Sequence, residues 1–75
     1  MSRVRTNLQT IIAANVRRRR LELGLSQEQF AEIAGYHRTY IGAVERGERN
    51  ITVSTLSAIA AALKLDVNEL IAPND

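Results

Sequence analysis

The chain has no cysteine and one histidine in 75 residues. Disulfides are therefore excluded, and a structural zinc site lacks the three or four soft ligands it needs. No Gly-rich phosphate loop and no evident pair of carboxylates accompanies the lone histidine, which leaves an enzyme without a nucleophile–base pair. No cofactor, metal or small-molecule substrate is expected. No apolar run reaches the length of a membrane span, and Met1 to Leu8 has no apolar signal-peptide core, so the expected compartment is the cytoplasm. Alternating apolar runs and Asn-Gly or Asp-Gly hairpins are also missing, which removes β architecture. No stretch has the Pro, Gly or Ser density of a linker and none repeats, so residues 1–75 read as one domain. A domain of this size buries roughly 60–65% of its unfolded surface and is marginally stable alone, which favours association.

Charge is unevenly placed. Residues 1 to 20 hold six arginines and no acid, whereas residues 21 to 75 hold four bases against eight acids. Basic clusters on a chain of net charge +2 suit a protein that meets a polyanion with one face. They also suit a merely solvated helix.

Five helices fit the periodicity, and the expected fold is all-α. The first runs from about Asn7 to Leu23, with Leu8, Ile12, Val16 and Leu23 on one side, Arg17 to Arg20 outside, and Gly24 at the C-cap. Ser26-Gln27-Glu28-Gln29 is a capping box that opens a second helix ending at Gly35. A third begins near His37 and stops at Gly47. The fourth spans about Val53 to Leu63, with Val53, Leu56, Ile59, Ala60 and Leu63 as its apolar stripe. Asp66-Val67-Asn68-Glu69 caps a short fifth.

Residues 27–46 have the pattern of a helix-turn-helix. Ala31 is the small residue such a crossing needs, and Gly35 tolerates positive φ in the turn. Phe30, Ile33, Ala34, Ile41 and Val44 supply an apolar inner surface, with Tyr36 adding a ring whose hydroxyl can stay in water. Gly42 is the anomaly, because glycine costs roughly 1 kcal/mol against alanine inside a helix. Either something approaches closely there or the glycine is simply tolerated.

The stretch SQEQFAEIAGYHRTYIGAVERGERN resembles the core of the Cro and lambda-repressor-like (XRE) helix-turn-helix family, and the likeness extends over about residues 8 to 71. Arg38-Thr39-Tyr40-Ile41 followed by Glu45-Arg46-Gly47-Glu48-Arg49-Asn50 further resembles the controller proteins of bacterial restriction-modification systems. The resemblance implies a five-helix DNA-binding domain, with the third helix in the major groove and the second crossing the phosphate backbone. It makes Arg38, Thr39, Tyr40 and Ala43 the base-reading candidates, Arg38 by a bidentate bond to guanine. Gln27 matches the family's phosphate-binding glutamine, and Arg46, Arg49 and Asn50 match phosphate contacts. Arg20 and Glu45 match a structural ion pair between the first and third helices. Two positions depart from the pattern. His37 stands where Ser, Thr or Asp caps the recognition helix, leaving a weaker cap or an imidazole that contacts backbone or DNA phosphate. Arg19 stands where relatives place leucine, its stem covering apolar surface.

The resemblance also implies a homodimer on a palindromic double-stranded operator, repressing or activating its own operon. Ile51, Leu70 and Ile71 are candidates for the dimer contact, or each completes the monomer's own core. Glu28 and Glu32 are a candidate polymerase contact, or they keep their helix soluble. Arg3 and Arg5, in residues 1–6, form a flexible basic arm or a plain disordered terminus. Alternatives are a phage-type or chromosomal repressor and an antitoxin or protein-interaction module, in which Arg38, Thr39 and Tyr40 contact protein instead.

Overall fold

Leu8–Glu22 forms α1, Gln27–Ala34 α2, Arg38–Glu45 α3, Val53–Ala62 α4 and Val67–Ile71 α5. The computed structural model describes residues 7–73, and no strand occurs among them. The expected basic arm of residues 1–6, with Arg3 and Arg5, lies outside the described residues. No helix among the described residues is long and apolar enough to cross a membrane.

Helix boundaries follow from local chemistry. Asn7 Oδ1 accepts from Gln9 N at 2.8 Å and starts α1. Ser26 Oγ accepts from Gln29 N at 3.0 Å while Gln29 Oε1 accepts from Ser26 N at 2.8 Å, a complete capping box on α2. Thr52 Oγ1 accepts from Thr55 N at 3.1 Å at the head of α4. The first four helices end alike. A residue in the left-handed region lets the next N–H reach back to an orphan carbonyl, as in Leu25 N to Arg20 O (3.1 Å), Tyr36 N to Ala31 O (2.9 Å), Glu48 N to Ala43 O (3.0 Å) and Leu65 N to Ala60 O (2.9 Å). Glycine fills that place after α1, α2 and α3, but after α4 it is Lys64 at φ 60°. Lys64→Gly is therefore expected to raise stability by up to about 1 kcal/mol in urea unfolding.

Ile12 and Val16 of α1, Phe30 and Ala31 of α2, Ile41 and Val44 of α3, Ile59, Ala60 and Leu63 at α4, and Leu70 of α5 make one buried cluster. Leu70 is fully enclosed, so the structure resolves its two readings in favour of the monomer's core and removes it from the dimer candidates. Ile51 and Ile71 are half-buried against the same cluster. Three apolar residues expected inside are outside: Leu8 at 52%, Ile33 at 58% and Val53 at 80% exposure. Leu8 and Val53 sit in the first turns of their helices, beyond the reach of the packed neighbours. Ile33 lies about 160° round α2 from buried Ala31 and about 60° from buried Phe30, which puts it past the edge of the inner face.

The arginine run is not a uniform outer face. Arg17 and Arg18 are exposed, but Arg20 turns inward, and Arg19 Nε donates to Leu63 O at 3.0 Å, closing the end of α4. Asn15 carries no signal in the sequence pattern yet is fully buried. Its Nδ2 donates to Leu70 O and Ala72 O, both at 2.8 Å, and its Oδ1 accepts from Arg18 at 3.1 Å, so one side chain clamps α5 onto α1. Asn15→Ala leaves those carbonyls without donors. It is expected to cost about 2–3 kcal/mol in a denaturant titration.

Candidate nucleic-acid interface

The small Cβ of buried Ala31 lets α2 and α3 cross closely, and Gly35 at φ 84° makes the turn between them. Phe30, Ile41 and Val44 bury the inner faces of the pair. The outer face of α3 is thereby left to Arg38, Thr39, Tyr40 and Ala43.

Arg38 and Thr39 are exposed in the first turn, while Tyr40 and Ala43 are half-buried. Arg38 forms no ion pair among the described residues. His37 caps the helix: its Nδ1 accepts from Thr39 N at 3.1 Å, which assigns the ring hydrogen to Nε2 and turns that donor away from the helix. Histidine here does the work of the usual Ser, Thr or Asp. Tyr40 stacks on Tyr36, with ring centroids 5.2 Å apart at 26°, and the Arg49 guanidinium lies over the Tyr40 ring, 5.0 Å from its centroid. The Tyr36 hydroxyl does not stay in water, because it donates to Thr55 Oγ1 at 3.0 Å and ties this ladder to α4.

Behind α3 lies a buried ion pair. Arg20 Nε and Glu45 Oε2 are 2.6 Å apart, a second arginine nitrogen reaches Glu45 Oε1 at 3.0 Å, and the third donates to Leu25 O at 2.8 Å. The side chains are only 9% and 3% exposed, so the pair joins α1 to α3 out of water. Glu45 Oε1 also accepts from Gln27 Nε2 at 3.1 Å, which extends the network to the start of α2.

The other candidates lie at the motif's margins. Arg46 is exposed and pairs with Glu48 at 3.1 Å. Asn50 Oδ1 accepts a hydrogen bond from Gln9 Nε2, so the loop after α3 is held against the start of α1. Glu28 and Glu32 are exposed on α2 and share a shallow cleft with Tyr36, His37 and Arg38. The result is a helix presented by a rigid scaffold, with donors along its outer face and cations beyond its C-terminus. Such a surface can enter a groove of duplex DNA.

Comparison with known proteins agrees with that geometry. The helix-turn-helix family model matches residues 16–70. Control protein C.SmaI of Serratia marcescens is 55% identical over 65 residues, which cover 87% of this chain and 77% of that protein. The restriction-modification controller protein C.AhdI from Aeromonas hydrophila superposes with a TM-score of 0.79 at 37% identity, covering 83% of this chain and 94% of that one. The hypothetical transcription factor NHTF from Neisseria gives a TM-score of 0.86 at 40% identity, over 89% of this chain and 77% of that one. The chain belongs to the helix-turn-helix family of DNA-binding transcription regulators, and within it is similar to the controller proteins of restriction-modification systems.

Proposed function

We propose that this protein is a cytoplasmic restriction-modification controller that acts as a homodimer on an imperfectly palindromic operator and both activates and represses its own operon. The observation that carries the proposal is the outer row of exposed Arg38 and Thr39 and half-buried Tyr40 and Ala43 on a helix held by the buried Arg20–Glu45 pair, in a chain similar to two such controllers. In this reading Arg38 bonds a guanine edge, Thr39 and Tyr40 bond bases or the adjoining backbone, and Ala43 meets a thymine methyl. Gln27, His37, Arg46, Arg49 and Asn50 hold phosphates and set the register. Ile51 and Ile71, with exposed Val53 two residues after Ile51, form the two-fold contact, spacing the recognition helices about 34 Å apart, one helical turn of DNA.

Activation uses Glu28 and Glu32, whose carboxylates line the cleft beside Arg38 and remain in solvent for RNA polymerase. The test is a promoter fusion carrying DNA from upstream of this gene, assayed alongside footprinting. The double variant Glu28→Ala/Glu32→Ala is expected to keep the wild-type footprint while losing most of the activation. Loss of footprint and activation together would remove the acidic contact from the account.

A further inference from the structure

We propose that Gly42 is a positioning residue for the DNA backbone: its missing side chain opens a slot across α3 in which the Gln27 amide and the Arg46 guanidinium form a two-pronged clamp for one phosphate group. The inference rests on the assignment of Gln27 and Arg46 to phosphate made above.

Backbone conformation does not explain this glycine. Gly24, Gly35 and Gly47 have positive φ, but Gly42 is an interior residue of α3 without it. Its surroundings do explain it. Gly42 is buried, and a Cβ there would stand 3.2 Å from Arg46 Nη1, 3.6 Å from Gln27 Oε1 and 4.0 Å from Gln27 Nε2. Gln27 opens α2 and Arg46 closes α3, so side chains from opposite ends of the motif converge over the one position that has no side chain.

Both groups are set up as donors. The Gln27 amide is oriented by Glu45, since a carboxylate accepts only from the NH2 side, and Glu45 is itself fixed by Arg20. That leaves a second Nε2 hydrogen without a protein acceptor among the described residues. Arg46 Nε stands 3.1 Å from Glu48 Oε2, and Nη1 is the Arg46 atom that faces the place of the absent side chain. A phosphate oxygen pair, which accepts and cannot donate, is the ligand such a pair of donors fits.

A methyl group at residue 42 would displace chiefly Arg46 Nη1, the far end of a flexible side chain, so the fold accommodates it while the clamp does not. The test compares wild type with Gly42→Ala, Gln27→Ala, Arg46→Ala and the double variant Gly42→Ala/Arg46→Ala, binding a mixed-sequence duplex over a range of salt concentrations. Gly42→Ala is expected to melt at or above the wild-type temperature, because alanine is the better helix former. It is expected to bind roughly five- to tenfold more weakly at low salt, with a log–log salt slope shallower by about one unit per engaged protomer. In the Arg46→Ala background the same substitution should change affinity by less than twofold, because the group it disturbs is already gone.

Unchanged binding by Gly42→Ala, with weaker binding in Gln27→Ala and a shallower slope in Arg46→Ala, overturns the role of Gly42 alone. Full additivity in the double variant does the same. Unchanged affinity in Gln27→Ala, together with an unchanged slope in Arg46→Ala, overturns the phosphate assignment and the clamp with it.

Discussion

Arg20→Ala lowers the stability of the protein by about 3–5 kcal/mol, the cost of leaving one member of a buried pair without its partner. The stranded group is the Glu45 carboxylate, whose side chain is 3% exposed and which would keep only the Gln27 amide as a donor. Leu25 O loses its arginine donor as well. For a small domain this approaches the whole of the folding free energy. The midpoint of urea unfolding should shift accordingly, and a melt unchanged from wild type would show that the pair does not hold α1 to α3. Arg20→Leu combined with Glu45→Leu separates the ion pair's net contribution from the penalty of a stranded charge. The double variant is expected to recover most of the stability, because replacing both partners with apolar groups removes the desolvation cost. Its Gln27 amide, however, has lost its anchor, so DNA affinity should stay below wild type.

Arg38→Ala has the second large effect, on recognition rather than folding. Arg38 is exposed in the first turn of α3 and forms no ion pair among the described residues, so its removal leaves the core and the caps intact. A bidentate arginine–guanine contact contributes about 1–3 kcal/mol of discrimination, and a dimer makes it in both half-sites. The preference for operator over mixed-sequence DNA should therefore fall at least about thirtyfold, corresponding to about 2 kcal/mol or more. The melting temperature should not move. Equal weakening on both DNAs would make Arg38 a phosphate ligand and shift base reading to Thr39 and Tyr40.

How far this could be read from the sequence depends on how local the controlling physics is. Helix ends were legible wherever a residue type answers a backbone need, as at Gly24, Gly35 and Gly47 with positive φ or at Ser26 and Gln29 in their reciprocal cap. Lys64 adopts the same left-handed conformation without the glycine that announces it. Periodicity assigns a helix face but not how far its packing partners extend, which is why Leu8 and Val53 are exposed despite their spacing. It also could not separate Leu70, sealed in the core, from its half-buried neighbour Ile71. Asn15 was invisible because its partners are backbone carbonyls 55 and 57 positions away, which no local pattern records. The group at the head of α3 was recognisable as a set of hydrogen-bonding residues. That His37 would cap its own helix, and that Tyr40 would meet both Tyr36 and Arg49, depend on side-chain geometry. Gly42 illustrates the same limit: its cost was visible in the sequence, and what offsets that cost became visible only with Gln27 and Arg46 in place.

In the proposed function, the outer face of α3 reads DNA sequence as part of a two-fold dimer. Selection of bound sequences from a random duplex pool tests it most directly. Enrichment of an inverted repeat is expected, with half-sites centred about one helical turn apart and a guanine in each half. A well-folded protein that enriches no motif, or only an asymmetric single half-site, would contradict it.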